Sequence, residues 1–283
     1  MKRRSLDYKS AIKPVWCAGC GNYGVLTAVQ RSLVGLEIPP ENVVTVSGIG
    51  CSGRLSHYLN TYSLHGTHGR AVPTSVGVKA ARPDLTVLTV GGDGDGLGIG
   101  GGHIPHAARK NADITYFLID NRVYGLTKGQ ASPTTQRGET TKTSPYGAYE
   151  DTLSAVPIFL AYDVSFIARG NSADIAELET IVTAAIRHRG MSIVHVLTRC
   201  RTFGHQDLLS EKAAFKPLPS GHDRRDKLAA LALSYSTEPV YTGIFYQVNK
   251  PTLEERLQAD ISKAESDTGG RPTPVEDLLK SFV

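Results

Sequence analysis

The stretch TVLTVGGDGDGLGIGG, residues 86–101, decides the fold of this chain. Its first part, Thr86–Gly91, is apolar and rich in β-branched residues, which is typical of a buried strand. The glycines after it lead into a predicted helix, Ile99–Lys110. A glycine-rich turn between a strand and a helix lies at the carboxyl end of the strand, where open α/β sheets bind phosphate groups. The stretch therefore predicts a parallel α/β sheet with a phosphate-binding loop.

The same alternation of short strands and longer helices continues on both sides of this loop. It predicts a doubly wound, mostly parallel sheet of the α/β class. Further strands are predicted at Val43–Ser47, Ile114–Asp120, Ser165–Ala168 and Ser192–Thr198. Further helices are predicted at Tyr23–Leu36, Pro73–Ala81, Asp151–Tyr162 and Ala173–Arg189.

The strand signal fades from about residue 201 onward. The rest of the chain is a polar, helix-prone tail with one apolar segment, Gly243–Val248, and a Pro/Gly-rich stretch, Gly269–Pro274. We therefore expect an α/β domain over residues 1–205 and a C-terminal extension over residues 206–283 that packs on the domain or on a partner subunit.

Composition places few limits on the chain, but it argues against two classes of partner. The 283 residues are 40% hydrophobic, enough to bury a large core, and the net charge is +4. The basic residues form only short groups, which does not favour nucleic acid. No apolar stretch approaches the ~18 residues that span a bilayer, and no apolar segment comes after the basic N-terminus. We expect a soluble, cytoplasmic protein that binds no membrane.

Two carboxylates in the glycine-rich loop bear on which cofactor it binds. The segment GLGIGG, residues 96–101, matches the dinucleotide fingerprint, and Asp120 comes about 20 residues further on, where the ribose-binding acid is expected. A nicotinamide or flavin enzyme is therefore one hypothesis. Against it, Asp93 and Asp95 would meet a pyrophosphate with like charge, which costs on the order of 4 kcal/mol at ~4 Å and an effective dielectric near ~20.

A divalent cation between the carboxylate and the phosphates removes this objection. Mg²⁺ is typically bound by one or two protein oxygens together with phosphate oxygens. Asp93 offers one such oxygen, and Asn121, at the end of the next predicted strand, offers another. The structural alternative is a glycine-rich turn with capping carboxylates and no ligand.

The four cysteines form a second candidate site. Cys17 and Cys20 belong to a C-x-x-C motif in a loop, Cys51 comes after the first predicted strand, and Cys200 after the last. Four thiolates suit either Zn²⁺ or an iron–sulfur cluster. Zinc sites more often contain two close pairs, whereas this chain has one, which favours a cluster. Disulfides are not expected in a cytoplasmic protein, and isolated buried cysteines are the structural alternative.

The two sites resemble a known family once their order along the chain is considered. Gly92-Asp93-Gly94 followed by Asn121 resembles the thiamine diphosphate motif. Together with the cysteines, the chain resembles the β subunit of 2-oxoacid:ferredoxin oxidoreductases as far as about residue 205. The resemblance is carried by CAGCG from Cys17, GIGCS from Gly48, HGRA from His68, the Gly-Asp-Gly loop, DNRVYGLTKGQ from Asp120, SPT from Ser132, and Cys200.

This resemblance implies three sets of ligands. It implies that Mg²⁺ is held by Asp93, Asn121 and the carbonyl of Val123. It implies that the cysteines hold one 4Fe–4S cluster, whose ligands are Cys17, Cys20, Cys51 and Cys200. It implies that thiamine diphosphate contacts Ile49, Gly50, Cys51, Ser52, His68, Gly94, Asp95, Gly125 and Leu126.

The resemblance also implies an oxidative decarboxylation. A thiazolium ylid attacks the keto carbon of a 2-oxoacid, CO₂ leaves, two electrons pass singly through the cluster to ferredoxin, and coenzyme A takes the acyl group. Lys128, pairing with the substrate carboxylate, and His68 are the candidate catalytic residues. Lys128 as a solvated surface lysine is the alternative. The TKGQ run from Thr127 and the SPTT run from Ser132 favour 2-oxoglutarate, with pyruvate or a broad range of 2-oxoacids as the alternative.

The glutamate that protonates the aminopyrimidine in thiamine enzymes is not identifiable in this sequence. We therefore expect an α subunit to supply it, an αβ heterodimer or (αβ)₂ assembly, and an inactive isolated chain. Two other functions stay open: a non-redox thiamine enzyme subunit, such as a decarboxylase or synthase, and a zinc-stabilised nucleotide-binding module.

Overall fold

The computed structural model describes residues 3–204, 214–268 and 274–280. The strands, in chain order, are β1 Val43–Ser47, β2 Tyr62–His65, β3 Thr86–Gly92, β4 Thr115–Asp120, β5 Val123–Tyr124, β6 Gln130–Ala131, β7 Phe166–Asn171, β8 Ser192–Leu197, β9 Phe215–Pro217 and β10 Val240–Gln247. The α-helices are α1 Asn22–Gly35, α2 Gly50–Gly53, α3 Leu55–Tyr58, α4 Ala71–Ala81, α5 Ile104–Lys110, α6 Ala155–Ala161, α7 Ile175–Arg187, α8 Lys227–Ser234, α9 Leu253–Thr268 and α10 Val275–Lys280.

Eight of these strands form one sheet in the order β2-β1-β3-β4-β8-β7-β10-β9. Neighbouring strands pair in parallel, except that β10 runs antiparallel to β7. β5 and β6 form a separate antiparallel hairpin. The prediction of a mostly parallel α/β sheet is confirmed.

Helices cover both faces of the sheet, because the central strands present apolar side chains to both. On β4, Tyr116 and Leu118 join the core under α4, α5 and α6, whereas Phe117 and Ile119 join the core under α1 and α7. Such two-sided burial is what a sheet wound with helices on each face requires. The central strands are therefore packed on both faces as far as the carboxyl edge, where the predicted loop lies.

The strand order reverses between β1 and β3. The chain places β2 on one side of β1 and β3 on the other, so the loops after β1 and β3 leave the sheet in opposite directions. A crevice opens at such a switch point, and it is the usual ligand site of open α/β sheets. The glycine-rich loop after β3 borders this crevice.

Two predicted helices begin later than the sequence pattern indicates. The predicted helix Ile99–Lys110 begins at Ile104, after a π-helical turn at Gly94–Ile99 and a 3₁₀ turn at Gly101–His103. Consecutive glycines are poor formers of a regular α-helix, which explains the delay. The predicted helix Asp151–Tyr162 begins at Ala155.

The prediction that no strands follow residue 201 is wrong for two segments, β9 and β10. β10 includes most of Gly243–Val248 but begins at Val240, and it is hydrogen-bonded to β7, while β9 pairs with β10. The sequence pattern also fails to indicate the edge strand β2, because all four of its residues are exposed and no buried face marks it. Residues 269–273 of the Pro/Gly-rich stretch lie outside the described residues.

The division of the chain near residue 205 stays a prediction. Within the described ranges, the C-terminal part contacts the rest of the chain through the β7–β10 pairing. No helix in the described part of the chain is long and apolar enough to cross a membrane.

Candidate active site

The predicted cofactor residues surround one cavity of about 140 Å³ at the carboxyl ends of β1, β3 and β4. We call it the glycine-loop cavity. Its walls come from residues 49–52, His68, residues 92–95, Asn121 and residues 123–127. The structure thus brings together every residue predicted to hold Mg²⁺ or thiamine diphosphate, although the sequence distributes them over four loops.

Asp95 fastens three of these loops to one another. Its buried Oδ1 accepts hydrogen bonds from the amides of Ile49 at 3.0 Å and Gly69 at 2.8 Å, and it lies 2.6 Å from Nδ1 of His68. A Cβ on Gly48 would lie 1.9 Å from Oδ2 of Asp95, so only glycine fits there. Oδ1 of Asp95 is therefore engaged within the protein.

The hairpin after β4 closes over the glycine-rich loop. The hydroxyl of Tyr124, in β5, donates to the carbonyl of Gly94 at 3.2 Å. A Cβ on Gly94 would lie 2.1 Å from the Tyr124 ring, so glycine is required for this close approach. Tyr124 lies within the DNRVYGLTKGQ motif, but the motif alone assigns it no role, because its position depends on the pairing of β5 with β6.

Asp93 is a buried carboxylate whose charge is poorly compensated. Its exposed fraction is 2%. Burial, followed by the negative charge of Asp120, raises its pKa to about 7, although Ser132 and Thr134 act in the opposite direction. Oδ2 accepts a 2.9 Å hydrogen bond from Thr134, and Oδ1 a long one of 3.5 Å from the Asn121 amide. A cation at this carboxylate would supply the missing compensation.

The neighbouring carboxylate, Asp120, is well compensated. It accepts hydrogen bonds from Nε2 of His195 at 2.8 Å, Oγ1 of Thr134 at 2.7 Å and the Arg122 amide at 3.0 Å. Burial alone would raise its pKa, but the hydrogen bonds from His195 and Thr134 outweigh burial and lower it. The pKa of His195 is itself lowered by burial, which favours a neutral imidazole that donates through Nε2.

Asn121 comes directly after Asp120 in the sequence and lies at the cavity in space. Its Oδ1 accepts a hydrogen bond of 3.1 Å from the amide of Val123, which fixes the side chain in an Asx turn. A carbonyl oxygen has two lone pairs, so one stays available to a cation. Asp93, Asn121 and Val123 together offer the hard oxygen ligands that Mg²⁺ prefers.

The four cysteines line a second cavity, of about 230 Å³, which we call the cysteine cavity. A Cβ on Gly125 would lie 3.6 Å from Sγ of Cys200 and 3.7 Å from Sγ of Cys51, so these thiols flank one glycine. Burial, and then the repulsion of the neighbouring thiolates, raises the pKa of Cys20 to about 11. Cys51 also lines the glycine-loop cavity and is therefore shared by both sites.

No three His, Cys, Asp or Glu side chains of the described residues lie close enough to ligate a single metal ion. The cysteines are free thiols that face a common space. The backbone of Cys51 is fixed by Trp16, whose Nε1 donates to the Cys51 carbonyl at 2.7 Å. The described residues that line the cysteine cavity contain four cations and no carboxylate. The cations are Arg54, Lys128, Arg199 and Arg201.

The two predicted catalytic residues lie in different cavities. His68 lines the glycine-loop cavity with its Nδ1 held by Asp95. Lys128 is exposed and lines the cysteine cavity. The backbone of Lys128 is left-handed, with φ of 80°, which costs free energy for a residue with a Cβ. The hydrogen bond from the Lys128 amide to the Gly125 carbonyl at 3.1 Å stabilises this turn.

The structure does not support Asp120 as the ribose-binding acid of a dinucleotide site. Asp120 is 2% exposed and bonded to His195, Thr134 and the Arg122 amide. It lines a separate cavity and not the glycine-loop cavity. A carboxylate so engaged does not offer both oxygens to a ribose, which disfavours a nicotinamide or flavin site at this loop.

A cation held by Asp93 would bind in a pH-dependent manner, because the pKa of this carboxylate is raised. A proton and a cation compete for this carboxylate, and with a pKa of about 7 the proton wins at acidic pH. The apparent affinity for Mg²⁺, measured by calorimetry with thiamine diphosphate present, should fall about tenfold per pH unit below pH ~7 and level off above it. A constant affinity between pH ~5 and ~7 would contradict this assignment of Asp93.

The fold and the cavity define the class of protein, a thiamine diphosphate enzyme domain. Residues 48–196 match the family described as "Thiamine pyrophosphate enzyme, C-terminal TPP binding domain". Residues 212–260 match a second family, which describes the C-terminal part of the pyruvate ferredoxin oxidoreductase beta subunit.

Similar proteins of known name indicate which thiamine diphosphate enzymes this chain belongs to. The "2-oxoacid:ferredoxin oxidoreductase subunit beta" of Sulfolobus sp is 39% identical over 281 residues, which cover 94% of this chain and 90% of the relative. The "2-oxoglutarate synthase subunit KorB" of Methanocaldococcus jannaschii is 35% identical over 255 residues, 89% and 94% of the two chains. The chain belongs to the β subunits of the 2-oxoacid:ferredoxin oxidoreductases, as its sequence motifs predict.

A solved structure agrees with this membership. The 2-oxoglutarate:ferredoxin oxidoreductase of Magnetococcus marinus, solved with 2-oxoglutarate, coenzyme A and succinyl-CoA bound, superposes with a TM-score of 0.90 at 35% identity. The superposition covers 99% of this chain and 96% of that one.

Proposed function

We propose that this chain is the β subunit of an enzyme that oxidatively decarboxylates a 2-oxoacid, with coenzyme A as acyl acceptor and ferredoxin as electron acceptor. The observation that carries the proposal is Cys51, which lines both the glycine-loop cavity and the cysteine cavity. A non-redox thiamine enzyme has no use for four thiols beside its cofactor site. The relatives named for 2-oxoacid and 2-oxoglutarate oxidation support the same reaction.

Thiamine diphosphate and Mg²⁺ fit the glycine-loop cavity. Asp93 is a buried carboxylate in need of a positive partner, and Asn121 and the Val123 carbonyl complete an oxygen ligand set. The diphosphate would lie along the backbone of Gly94, Asp95, Gly125 and Leu126, where glycines permit close approach. Ile49, Gly50, Ser52 and His68 also line this cavity.

A 4Fe–4S cluster fits the cysteine cavity better than a zinc ion does. The thiols of Cys17, Cys20, Cys51 and Cys200 line one cavity. Only Cys17 and Cys20 form a close pair in the sequence, whereas zinc sites usually contain two such pairs. The four cations around the cavity would offset the negative charge of thiolate ligands.

The side chains of this subunit then have defined tasks. The bound groups supply a carbon nucleophile for decarboxylation and a one-electron acceptor. Asp93 holds the cation, and Asp95 keeps the His68 ring against the cavity through the 2.6 Å contact with Nδ1. Lys128, which lines the cysteine cavity, would attract the carboxylate of the substrate.

The site needs a partner chain for completion. No glutamate is present among the described residues that line the glycine-loop cavity, so the acid for the aminopyrimidine must come from elsewhere. The name "subunit beta" of the relatives fits an α subunit in this role. We propose an αβ heterodimer or (αβ)₂ assembly, in which residues 206–283 serve as the extension of the 1–205 domain. The isolated chain should be inactive.

The substrate is proposed to be 2-oxoglutarate. Relatives named for this substrate include chains 41%, 35% and 38% identical to this one. The Magnetococcus marinus enzyme was solved with 2-oxoglutarate bound. Pyruvate or a broad range of 2-oxoacids is the alternative.

The test is a reconstituted enzyme. The chain is co-expressed with its α subunit and purified without oxygen, and iron, sulfide and thiamine diphosphate are measured before any rate. Reduction of a viologen dye should then require a 2-oxoacid and coenzyme A, with 2-oxoglutarate preferred to pyruvate. Protein that contains zinc but no iron would contradict the redox function and favour a zinc-stabilised module.

Lys128 provides a test of substrate recognition. Replacing it with Ala removes one charge-assisted contact worth about 1.5–3 kcal/mol, so KM for the 2-oxoacid should rise about 10- to 100-fold. Lys110→Ala, an exposed lysine at the end of α5, is the matched control. An unchanged KM in Lys128→Ala would make Lys128 a surface residue.

A further inference from the structure

A buried series of polar side chains leads away from Asp93, and the proposed reaction uses none of it. Oγ1 of Thr134 lies 2.9 Å from Oδ2 of Asp93 and 2.7 Å from Oδ1 of Asp120. Nε2 of His195 lies 2.8 Å from Oδ2 of Asp120. The exposed fractions of Thr134, Asp120 and His195 are 2%, 2% and 5%, so the series is shielded from solvent.

The hydroxyl of Thr134 has one proton to donate, and two carboxylates, Asp93 and Asp120, lie within hydrogen-bond distance of it. A hydroxyl donates one hydrogen bond, so Thr134 donates fully to Asp93 or to Asp120, but not to both. Asp120 has two further donors, His195 and the amide of Arg122 at 3.0 Å. Asp93 has weaker support, from the Asn121 amide at 3.5 Å and from the Ser132 side chain. The hydroxyl therefore matters more to Asp93.

His195 holds the other end of this series in one orientation. Its Nδ1 is buried and has no hydrogen-bond partner among the described residues. An imidazole whose proton sits on Nε2 leaves only an acceptor unpaired at Nδ1, which costs less than an unpaired N–H. His195 thus donates to Asp120, and Asp120 is fixed for contact with Thr134.

We propose that Thr134 is a positioning residue for the proposed cation site: with Asp120 satisfied by His195 and the Arg122 amide, its hydroxyl donates to Oδ2 of Asp93 and leaves Oδ1 directed to the cation. This inference rests on the proposed function, since it concerns the Mg²⁺ that accompanies thiamine diphosphate. It adds Thr134, Asp120 and His195 to the residues on which the metal affinity depends. Partners of this kind behind a metal ligand typically change metal affinity about 10- to 100-fold.

The neighbouring residue Thr135 provides a control that distinguishes a positioning role of Thr134 from a merely structural role. Its hydroxyl is buried in the same loop, but it bonds the backbone: Oγ1 donates to the Arg122 carbonyl at 2.7 Å and accepts from the Ser132 amide at 2.8 Å. Removal of either hydroxyl should lower the melting temperature. Only removal of the Thr134 hydroxyl should alter the response to Mg²⁺.

The experiment uses the complete enzyme with its α subunit, stripped of divalent cations, at pH ~8, above the pKa of Asp93. Mg²⁺ is titrated at a fixed, saturating concentration of thiamine diphosphate, and bound cofactor is measured by equilibrium dialysis. For Thr134→Val we expect an apparent Kd for Mg²⁺ raised about 10- to 100-fold. Thr134→Ser, which restores the hydroxyl, should return within about threefold of the unaltered enzyme, and Thr135→Val should also stay within about threefold.

Three results bear on the role of Thr134. An unchanged Mg²⁺ Kd in Thr134→Val overturns it, and so does an equal rise in Thr134→Val and Thr135→Val, which would mean that the loop acts only as scaffold. If Thr134→Val does not fold, Thr134→Ser and His195→Gln, which keeps a donor for Asp120, must both retain tight Mg²⁺ binding, and a loss in either overturns the inference. Failure of the unaltered enzyme to bind thiamine diphosphate at any Mg²⁺ concentration would instead overturn the proposed function.

Discussion

Replacing Asp93 with Ala should abolish Mg²⁺-dependent retention of thiamine diphosphate while leaving the iron and sulfide content of the protein unchanged. Among the described residues that line the glycine-loop cavity, Asp93 is the carboxylate that can ligate the cation without already being fastened as Asp95 is. We expect the affinity for the cofactor with Mg²⁺ to fall by at least about 100-fold. Equilibrium dialysis of the anaerobic enzyme measures this loss directly.

The same substitution should not destabilise the protein without cofactor. Burial raises the pKa of Asp93 to about 7, so its ionised form is unfavourable in the folded chain and contributes to stability only when protonated or paired. Asp93→Ala should therefore melt at a temperature equal to or above that of the unaltered apo enzyme at pH ~8. Simultaneous loss of cofactor binding and of the cluster spectrum would instead show that Asp93 is structural.

Replacing Cys17 with Ala should remove the cluster and retain thiamine diphosphate. Cys17 lines only the cysteine cavity of the two, is exposed and lies in the loop before α1, so its loss leaves the glycine-loop cavity untouched. A cluster with three protein ligands is labile, and we expect iron and sulfide to fall to a small fraction of their content in the unaltered enzyme. Iron and sulfide analysis and the visible absorption band measure this loss. Viologen reduction should be lost with it.

Cys51→Ala is the informative counterpart, because Cys51 borders both cavities. We expect it to lose the cluster as Cys17→Ala does and, in addition, to weaken thiamine diphosphate binding. Retention of the cluster in Cys17→Ala would exclude Cys17 from the ligand set. Equal cofactor binding in the two variants would argue that Cys51 does not touch the cofactor.

The sequence was sufficient to predict the sheet and the loops around it. β-branched runs such as Val43–Ser47 and Thr86–Gly91 are apolar and bounded by glycine, so their strands agree with the prediction within about a residue. The gathering of the predicted site residues around one cavity was predictable because parallel strands place their carboxyl ends on one edge of the sheet. Motif order alone thus brings Cys51, after β1, and Cys200, after β8, to the same edge.

The contacts behind the site could not be predicted in this way. The bond between Asp120 and His195 joins residues on β4 and β8, and it depends on the register of two strands far apart in sequence. Thr134 is one polar residue among several in its loop, and nothing local indicates that two carboxylates flank it. The antiparallel addition of β10 was unpredicted for a related reason: a half-buried strand near a sheet edge has no clear apolar alternation.

The three partners of Asp95 also couple the opening of the loops that form the site. Because Oδ1 of Asp95 accepts from Ile49 and Gly69 and touches His68, the loop that carries Asp95 cannot detach without breaking its bonds to both of the other loops. Segments coupled in this way open and close as one cooperative unit. Amide hydrogens of Ile49 and Gly69 should therefore exchange at a common rate, although 20 positions separate them in the chain. We therefore expect the loops around the glycine-loop cavity to open and close together.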